Sequence, residues 1–237
     1  MIVKSFDTER GCYAFVEEHL QAAEHQHPAL EVLLVRSGMI DVTVGDKTIK
    51  STKGCIIAPN VKHSVASKEA VCEVWIVEKS ISAITPLHPV FARLSTVPVI
   101  ELSEKELAEF NDALLGALKM ADPYPVDFDS RIKECVEFIR SSVGVHTLNR
   151  TQLSAHVHLS PSRLSHLFKA QMGTSLENFI IWERLKYAIA NSLDQEINLL
   201  NAAYLAGFFD AAHFSRAYLK MFGLNPSTGY NSSTLQI

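Results

Sequence analysis

The feature that most constrains this fold is a segment that occurs twice. Residues 161–173 read PSRLSHLFKAQMG and residues 211–223 read AAHFSRAYLKMFG, an offset of fifty positions. At that offset Leu164 answers Phe214, Ser165 answers Ser215, Phe168 answers Tyr218 and Gly173 answers Gly223. Apolar residues three and four apart make each copy an amphipathic helix. The closing glycine stands where a left-handed C-terminal cap belongs. Ser160 before Pro161 is an N-cap with proline at the first helical position, and Asp210 can cap the second copy. Such a chain carries one frame twice, with two different outward surfaces.

Each copy follows a shorter helical stretch and a tight turn, TQLSAHVHLS (151–160) and NLLNAAYLAGFFD (198–210). Helix, short turn, helix is the helix-turn-helix arrangement, and in DNA binders of that kind the second helix enters the major groove. In the first copy the pattern turns Leu164, Leu167 and Phe168 inward and leaves Ser162, Arg163, Ser165, His166 and Lys169 outside. In the second it turns Phe214, Tyr218 and either Leu219 or Met221 inward and leaves Ala211, Ala212, His213, Arg216 and Lys220 outside. Arg216 is the strongest single candidate for a base or phosphate contact. Between the copies, SLENFIIWERLKYAIANSL (175–193) reads as one helix, long enough to hold two reading heads about one DNA repeat (~34 Å) apart. The competing reading is an ordinary helical bundle with fortuitous similarity. The fixed offset, the paired caps and the exchange of like for like at inward positions speak against it.

The front of the chain has another texture. Residues 1–130 hold 12 Lys and Arg against 19 Asp and Glu, whereas residues 131–237 hold 10 against 7. A polyanion would therefore be met by the rear half. From 30 to 78 the pattern is strand-like: VLLV (32–35), MIDVTV (39–44), CIIA before Pro59 and EVWIV (73–77). Gly45-Asp46 makes a two-residue type II′ hairpin turn. Short strands with Gly and Pro turns imply a small antiparallel barrel or sandwich. Ser103 and Glu106 then form a capping box, which opens a helix over 103–119 with Leu107, Phe110, Leu114 and Leu118 on one face. That stripe can pack on the barrel, make a dimer contact, or do both. ADPYPVDFD (121–129), with two prolines and three aspartates, reads as a linker.

His25, His27 and Glu31 share a face on an extended chain, and His63 follows on a later strand. Imidazoles and a carboxylate converging in a barrel suit a divalent metal. The bland reading has them hydrogen-bonding along the barrel mouth, or lining a pocket for a small effector. The four cysteines, Cys12, Cys55, Cys72 and Cys135, show no C-x-x-C pairing and read as structural thiols of a reducing compartment. The start MIVKSFDTERG has no signal-peptide core and no stretch is apolar enough to span a bilayer. A cytoplasmic protein that does not engage the membrane is expected. No nucleophile elbow, phosphate-binding glycine loop or zinc-protease motif is present.

LSPSRLSHLFKAQMGTSLENFIIWERL followed by GFFDAAHFSRAYLKMFGLNPSTGY resembles the DNA-binding domain of AraC/XylS-type bacterial transcription regulators over about residues 130 to 230. The resemblance implies two helix-turn-helix units, about 151–170 and 197–222, joined by a long helix. By that likeness Ser162, Ser165 and His166, and then Ala211, Ala212, His213 and Arg216, match places where relatives touch DNA. His158 stands where the family usually has a turn glycine, Ala202 replaces a larger aliphatic residue, and Asn231 sits where an arginine often follows the terminal tyrosine. Ala211 and Ala212 offer only apolar contact, such as with a thymine methyl. Such regulators commonly carry a cupin-like front domain, and the His25–Glu31 spacing resembles the first cupin metal motif. The expected fold is thus an α+β two-domain one. A cupin-like antiparallel β-barrel with flanking helices spans 1–122, a linker spans 123–130, and an all-α DNA-binding domain spans 131–237. The expected function is sequence-specific transcription regulation, as an activator and not an enzyme, on double-stranded promoter DNA. A homodimer is expected, with contact to RNA polymerase implied by the family, an effector in the barrel, and no required cofactor unless the His/Glu set holds a divalent metal. The alternative is a metal-dependent cupin enzyme, an isomerase or dioxygenase, with a helical appendage.

Overall fold

The computed structural model describes residues 2–124, 127–145, 148–194 and 197–229. Asn231 and part of the expected linker, residues 125–126, lie outside them. Chain packing divides the molecule into two compact units, Met1–Pro125 with Leu219–Ile237, and Val126–Tyr218.

The first unit is built on eight strands, β1 (Ile2–Asp7), β2 (Cys12–Glu18), β3 (Gln21–His25), β4 (Leu30–Val44), β5 (Lys47–Ser51), β6 (Gly54–Ile57), β7 (His63–Val77) and β8 (Val99–Glu101). They form one antiparallel sheet in the order β1-β2-β7-β4-β6-β8, with β3 added to β7 and β5 added to β4. Strands β4 and β7 are the long central pair, in register from Leu30↔Val77 to Thr43↔Ser64. Where the sequence pattern suggests two strands, 32–35 and 39–44, the chain runs as one. It is bulged around Ser37 and carries Gly38 at φ +77°. A side chain there is excluded, because a Cβ would fall 2.3 Å from the Glu69 carbonyl oxygen. The Gly45-Asp46 turn joins Val44 to Lys47 as expected, with Gly45 at φ +56°.

Every residue from Leu30 to Val35 is buried. A strand buried on both faces belongs to a sheet covered on both sides, and here helices supply one of the covers. Leu30, Val32 and Leu34 share a core with Phe91 and Leu94 of a 3₁₀ helix (Pro89–Ser95), with Ile84 of α1 (Ile81–Ile84), and with Phe110, Leu115 and Leu118. Each fully buried aliphatic or aromatic side chain of this kind contributes roughly 1.5–3 kcal/mol.

The helix expected over 103–119 is two helices. The capping box is present: the Ser103 side chain accepts from the Glu106 amide, and the Glu106 carboxylate accepts from the Ser103 amide at 2.8 Å. However, α2 (Glu104–Glu109) ends at Phe110, and α3 (Asp112–Met120) starts afresh after Asn111. The Asn111 side chain accepts from the amides of Ala113 and Leu114, both at 3.1 Å. A second N-cap in the middle of the stretch competes with helix continuation, because it satisfies amides that the helix would otherwise have to satisfy.

The second unit is helical: α4 (Ser130–Ser142), α5 (Arg150–His156), α6 (Pro161–Met172), α7 (Leu176–Asp194) and α8 (Leu199–Leu205), with α9 (Ala211–Phe222) following; a last short turn is α10 (Pro226–Gly229). Ile132, Cys135, Val136 and Ile139 give α4 its buried stripe. Phe168 of α6 meets Phe179 of α7 edge to face at 5.4 Å. The 19 residues of α7 make a rod of about 28 Å. All four cysteines are free and buried. Burial pushes their thiols up, Cys12 and Cys72 to about 11 and Cys55 and Cys135 to about 12, which makes them poor nucleophiles and fits structural thiols.

Candidate nucleic-acid interface and buried histidine cluster

Both helix-turn-helix units are assembled from the same parts. The first helix of each is capped by asparagine: Asn149 accepts from the Gln152 amide at 2.9 Å, and Asn198 accepts from the Asn201 amide at 2.9 Å. Each first helix ends in a left-handed residue, His158 at φ +52° and Gly207 at φ +89°. The amide after it reaches back five residues, Leu159 to the Ser154 carbonyl and Phe208 to the Ala203 carbonyl. The second helix of each starts at a side-chain cap. The Ser160 hydroxyl accepts from the Arg163 amide at 3.3 Å, and the Asp210 carboxylate accepts from the His213 amide at 2.6 Å. Each then stops at a left-handed glycine, Gly173 at φ +69° and Gly223 at φ +67°. His158 thus takes the turn conformation that glycine usually supplies.

The copies differ in one joint. Only Leu159 separates His158 from the cap Ser160, whereas Phe208 and Phe209 separate Gly207 from the cap Asp210. Phe208 is buried against Phe214, and Phe209 is 89% exposed.

Leu164 and Phe168 of α6, and Phe214 and Tyr218 of α9, are buried, and Leu167 is half-buried. Of the two open choices in α9, Met221 is buried and Leu219 is exposed. Ser162, Arg163, His166 and Lys169 are exposed on α6, as are Ala211, Ala212, Arg216 and Lys220 on α9. Ser165 is half-buried and donates its hydroxyl to the Pro161 carbonyl at 3.0 Å. His213 is half-buried with its ring edge to face with Phe208. Ala202 is fully buried.

In the first unit the other sequence-selected set comes together. His25 closes β3, His27 lies in the connection, Glu31 is on β4 and His63 opens β7. They do not lie along one extended strand, as the sequence spacing suggests. The chain turns between His25 and Glu31, and His25 pairs with His63 across β3 and β7. All four are buried, at 1–5% exposure, and one ligand atom from each lies within 4.8 Å of the others. His27 Nε2 is 3.2 Å and His63 Nε2 2.9 Å from the same Glu31 oxygen. The Nδ1 atoms face backbone carbonyls: His25 to Ala23 at 2.8 Å, His27 to Ala29 at 3.0 Å and His63 to Val61 at 2.9 Å. Burial pushes His25 down to about 4 despite the charge of Glu31. For His63 burial acts the same way, but the Glu31 hydrogen bond and charge outweigh it and hold the ring above its ordinary value. Burial would raise Glu31, yet the His27 and His63 hydrogen bonds keep it well below the carboxylate range. No sequence signal marks the three carbonyl partners, since they depend on backbone paths.

The helix stripe suggested as a dimer contact packs on the sheet. Phe110 and Leu118 are buried in the core there, with Leu107 and Leu114 packed half-buried against it. Only the latter two retain surface that a second copy could cover.

Two capped helix-turn-helix units in tandem, with a 19-residue helix between them, define the class: a tandem helix-turn-helix protein. Comparison with known proteins agrees. Residues 153–230 match the family described as helix-turn-helix domain. The chain is 31% identical over 135 residues to the arabinose operon regulatory protein of Escherichia coli (strain K12), covering 57% of this chain and 44% of that protein. It is 30% identical over 76 residues to the probable transcriptional regulator LumQ of Photobacterium leiognathi, covering 32% of this chain and 31% of that one. The chain therefore spans less than half the length of these curated relatives. Crystal structures of ToxT from Vibrio cholerae share the fold across both units: an apo form of a ToxT variant superposes with a TM-score of 0.62 at 10% identity, over 92% of this chain and 96% of that one. A form bound to an unsaturated fatty acid gives 0.58 at 10% identity, over 95% and 97%. Residues 153–230 thus carry a helix-turn-helix domain, and over this region the chain is similar to these transcription regulators.

Proposed function

We propose that this protein is a sequence-specific transcription regulator that binds double-stranded promoter DNA through α6 and α9. The observation that carries the reading is the duplicated frame. Leu164 and Phe168, and Phe214 and Tyr218, anchor two helices whose outward residues differ, with Arg163, His166 and Lys169 on one and Ala211, Ala212 and Arg216 on the other. Two unlike readers on one scaffold specify a longer site than either alone. The curated relatives are named as regulators, not enzymes, which favours this over a cupin enzyme with a helical appendage.

Activation, a homodimer on tandem sites and contact with RNA polymerase belong to the same proposal, and they rest on the family likeness. So does a cytoplasmic location; among the described residues no helix is long and apolar enough to cross a membrane. Modulation by an effector in the first unit draws support from the fatty-acid-bound ToxT structure, whose fold this chain shares. The test is selection from a random duplex library, followed by anisotropy titration of the selected duplex over a salt series. Specific binding whose log affinity falls linearly with log salt is expected. A chain that selects no sequence would refute the reading. Sedimentation of the free chain and of its complex reads the dimer.

A further inference from the structure

The joint before α9 holds two phenylalanines, and the fold buries only one of them. The residue ahead of a helix cap commonly packs on the fourth helical residue, which fixes the angle at which the chain enters. Here the cap is Asp210 and the fourth helical residue is Phe214. Phe208 does that packing: it is 3% exposed, with its ring edge to face with Phe214 at 5.4 Å and with His213 at 5.2 Å. Phe209, directly before the cap, is left 89% exposed. In the first unit Leu159 alone fills this joint, and it is half-buried, so the exposed phenyl comes with the longer joint. A phenyl ring left in water adds nothing to the stability of the fold. A lone exposed apolar side chain is ordinary, but this one leads straight into the exposed Ala211 and Ala212, the first two residues of α9.

In a helix-turn-helix unit the first turn of the second helix is the part that meets base edges in the major groove. At this end of α9 the Asp210 carboxylate is taken by the His213 amide at 2.6 Å, and the His213 ring lies against Phe208. What Phe209, Ala211 and Ala212 offer to solvent is hydrocarbon, one phenyl ring and two methyl groups. The apolar mark that a base pair shows in the major groove is the thymine 5-methyl group, and alanine and phenylalanine are side chains that contact it. Resting on the assignment of α9 as a DNA-reading helix, we propose that Phe209, with Ala211 and Ala212, recognises thymine by covering its 5-methyl group. Arg216, four residues beyond Ala212 and so on the same helix face, supplies the hydrogen bonds that these three residues lack. The second unit then selects thymine through burial of methyl surface, and the phenyl ring of its longer joint sets that preference. A protein partner is the other cover an exposed phenyl could have, but its place beside the cap of a reading helix favours DNA.

The test uses the full chain and the duplex it selects from a random library, with thymines changed one at a time to deoxyuridine. That change keeps base pairing and removes only the methyl group. For the wild type, affinity at fixed salt should fall about fourfold at one or two positions. Phe209→Ser should bind the thymine duplex at least about threefold more weakly and lose the discrimination at one of those positions. Arg216→Ala should bind more weakly and still discriminate. A wild type that binds every deoxyuridine duplex as tightly as the thymine duplex would overturn the proposal and leave DNA reading by α9 intact. So would a Phe209→Ser chain that discriminates as the wild type does. Unchanged DNA affinity of Phe209→Ser, with self-association lost in sedimentation, would give the phenyl to a protein contact and overturn it as well. If no duplex is selected, DNA reading itself fails and this inference falls with it. The deoxyuridine series on the wild-type chain needs no variant, so it decides even where Phe209→Ser does not fold.

Discussion

The two helix-turn-helix units of this chain solve one mechanical problem with different residues. Both start at an asparagine cap, both turn through a left-handed residue, and both end at a left-handed glycine. The caps of the first helices are 49 positions apart, Asn149 and Asn198, whereas those of the second helices are 50 apart, Ser160 and Asp210. The extra residue sits in the second turn, beside the exposed Phe209. What is held constant is the set of hydrogen bonds that aims the second helix. What varies is the outward chemistry and the length of the joint. The first helix presents Arg163, His166 and Lys169, able to donate to phosphates or bases, while the second opens with Ala211 and Ala212 and concentrates its charge on Arg216 and Lys220. A reader with few polar groups depends heavily on each of them.

The largest test asks whether the buried anchors are equivalent. Phe168 is fully buried against Phe179, and Phe214 is buried against Phe208 and Tyr218. Replacing either by alanine should destabilise the helical unit by about 3–5 kcal/mol, read as a shift of the urea midpoint. A loss under about 1 kcal/mol at one site and not the other would show that the two frames are not mechanically alike.

Next in size is the asymmetry between the two proposed reading helices. Arg216→Ala should weaken binding to the selected duplex by about 1–3 kcal/mol and relax preference at one position if Arg216 reads a base. Lys169→Ala should instead weaken all duplexes nearly equally and lower the salt slope by about one, as loss of a phosphate contact does. Equal effects of both changes on selected and unselected DNA would reduce the second helix to a backbone clamp.

How much of this is legible in the sequence differs between the two units for a physical reason. Helix periodicity, caps and glycine stops are local, so the duplicated helices and the rod Leu176–Asp194 can be read directly. The sheet depends on partners far along the chain. Strands β1 to β3 escape the strand-like pattern of 30–78, although Gly11 before CYAFV, rich in aromatic and β-branched residues, is a usable signal. Asn111 reads as an interior helix residue because the apolar stripe runs through it, while its side chain caps a new helix. The histidine cluster shows both sides. Its membership is visible in the spacing, but its geometry is not. The turn after His25 and the pairing of His25 with His63 are long-range, and the Nδ1 partners are backbone atoms without a sequence signature.

The smallest effect bears most directly on the comparison, because it swaps the left-handed residues. A non-glycine residue at positive φ costs roughly 1–2 kcal/mol, and a glycine there costs unfolded-state entropy of about 0.4–1 kcal/mol instead. A Cβ on Gly207 would meet the Arg184 guanidinium at 3.5 Å or more, an ordinary contact, so Gly207→Ala adds strain without a clash. It should cost about 1 kcal/mol net. His158→Gly runs the other way and should stabilise by about 0.5 kcal/mol, since φ +52° lies in the region histidine tolerates better than most residues. Both shifts are measurable as urea midpoints of the helical unit. If His158→Gly destabilises the chain instead, the histidine makes a contribution in the turn that glycine cannot replace, and the two joints differ in energy as well as in length.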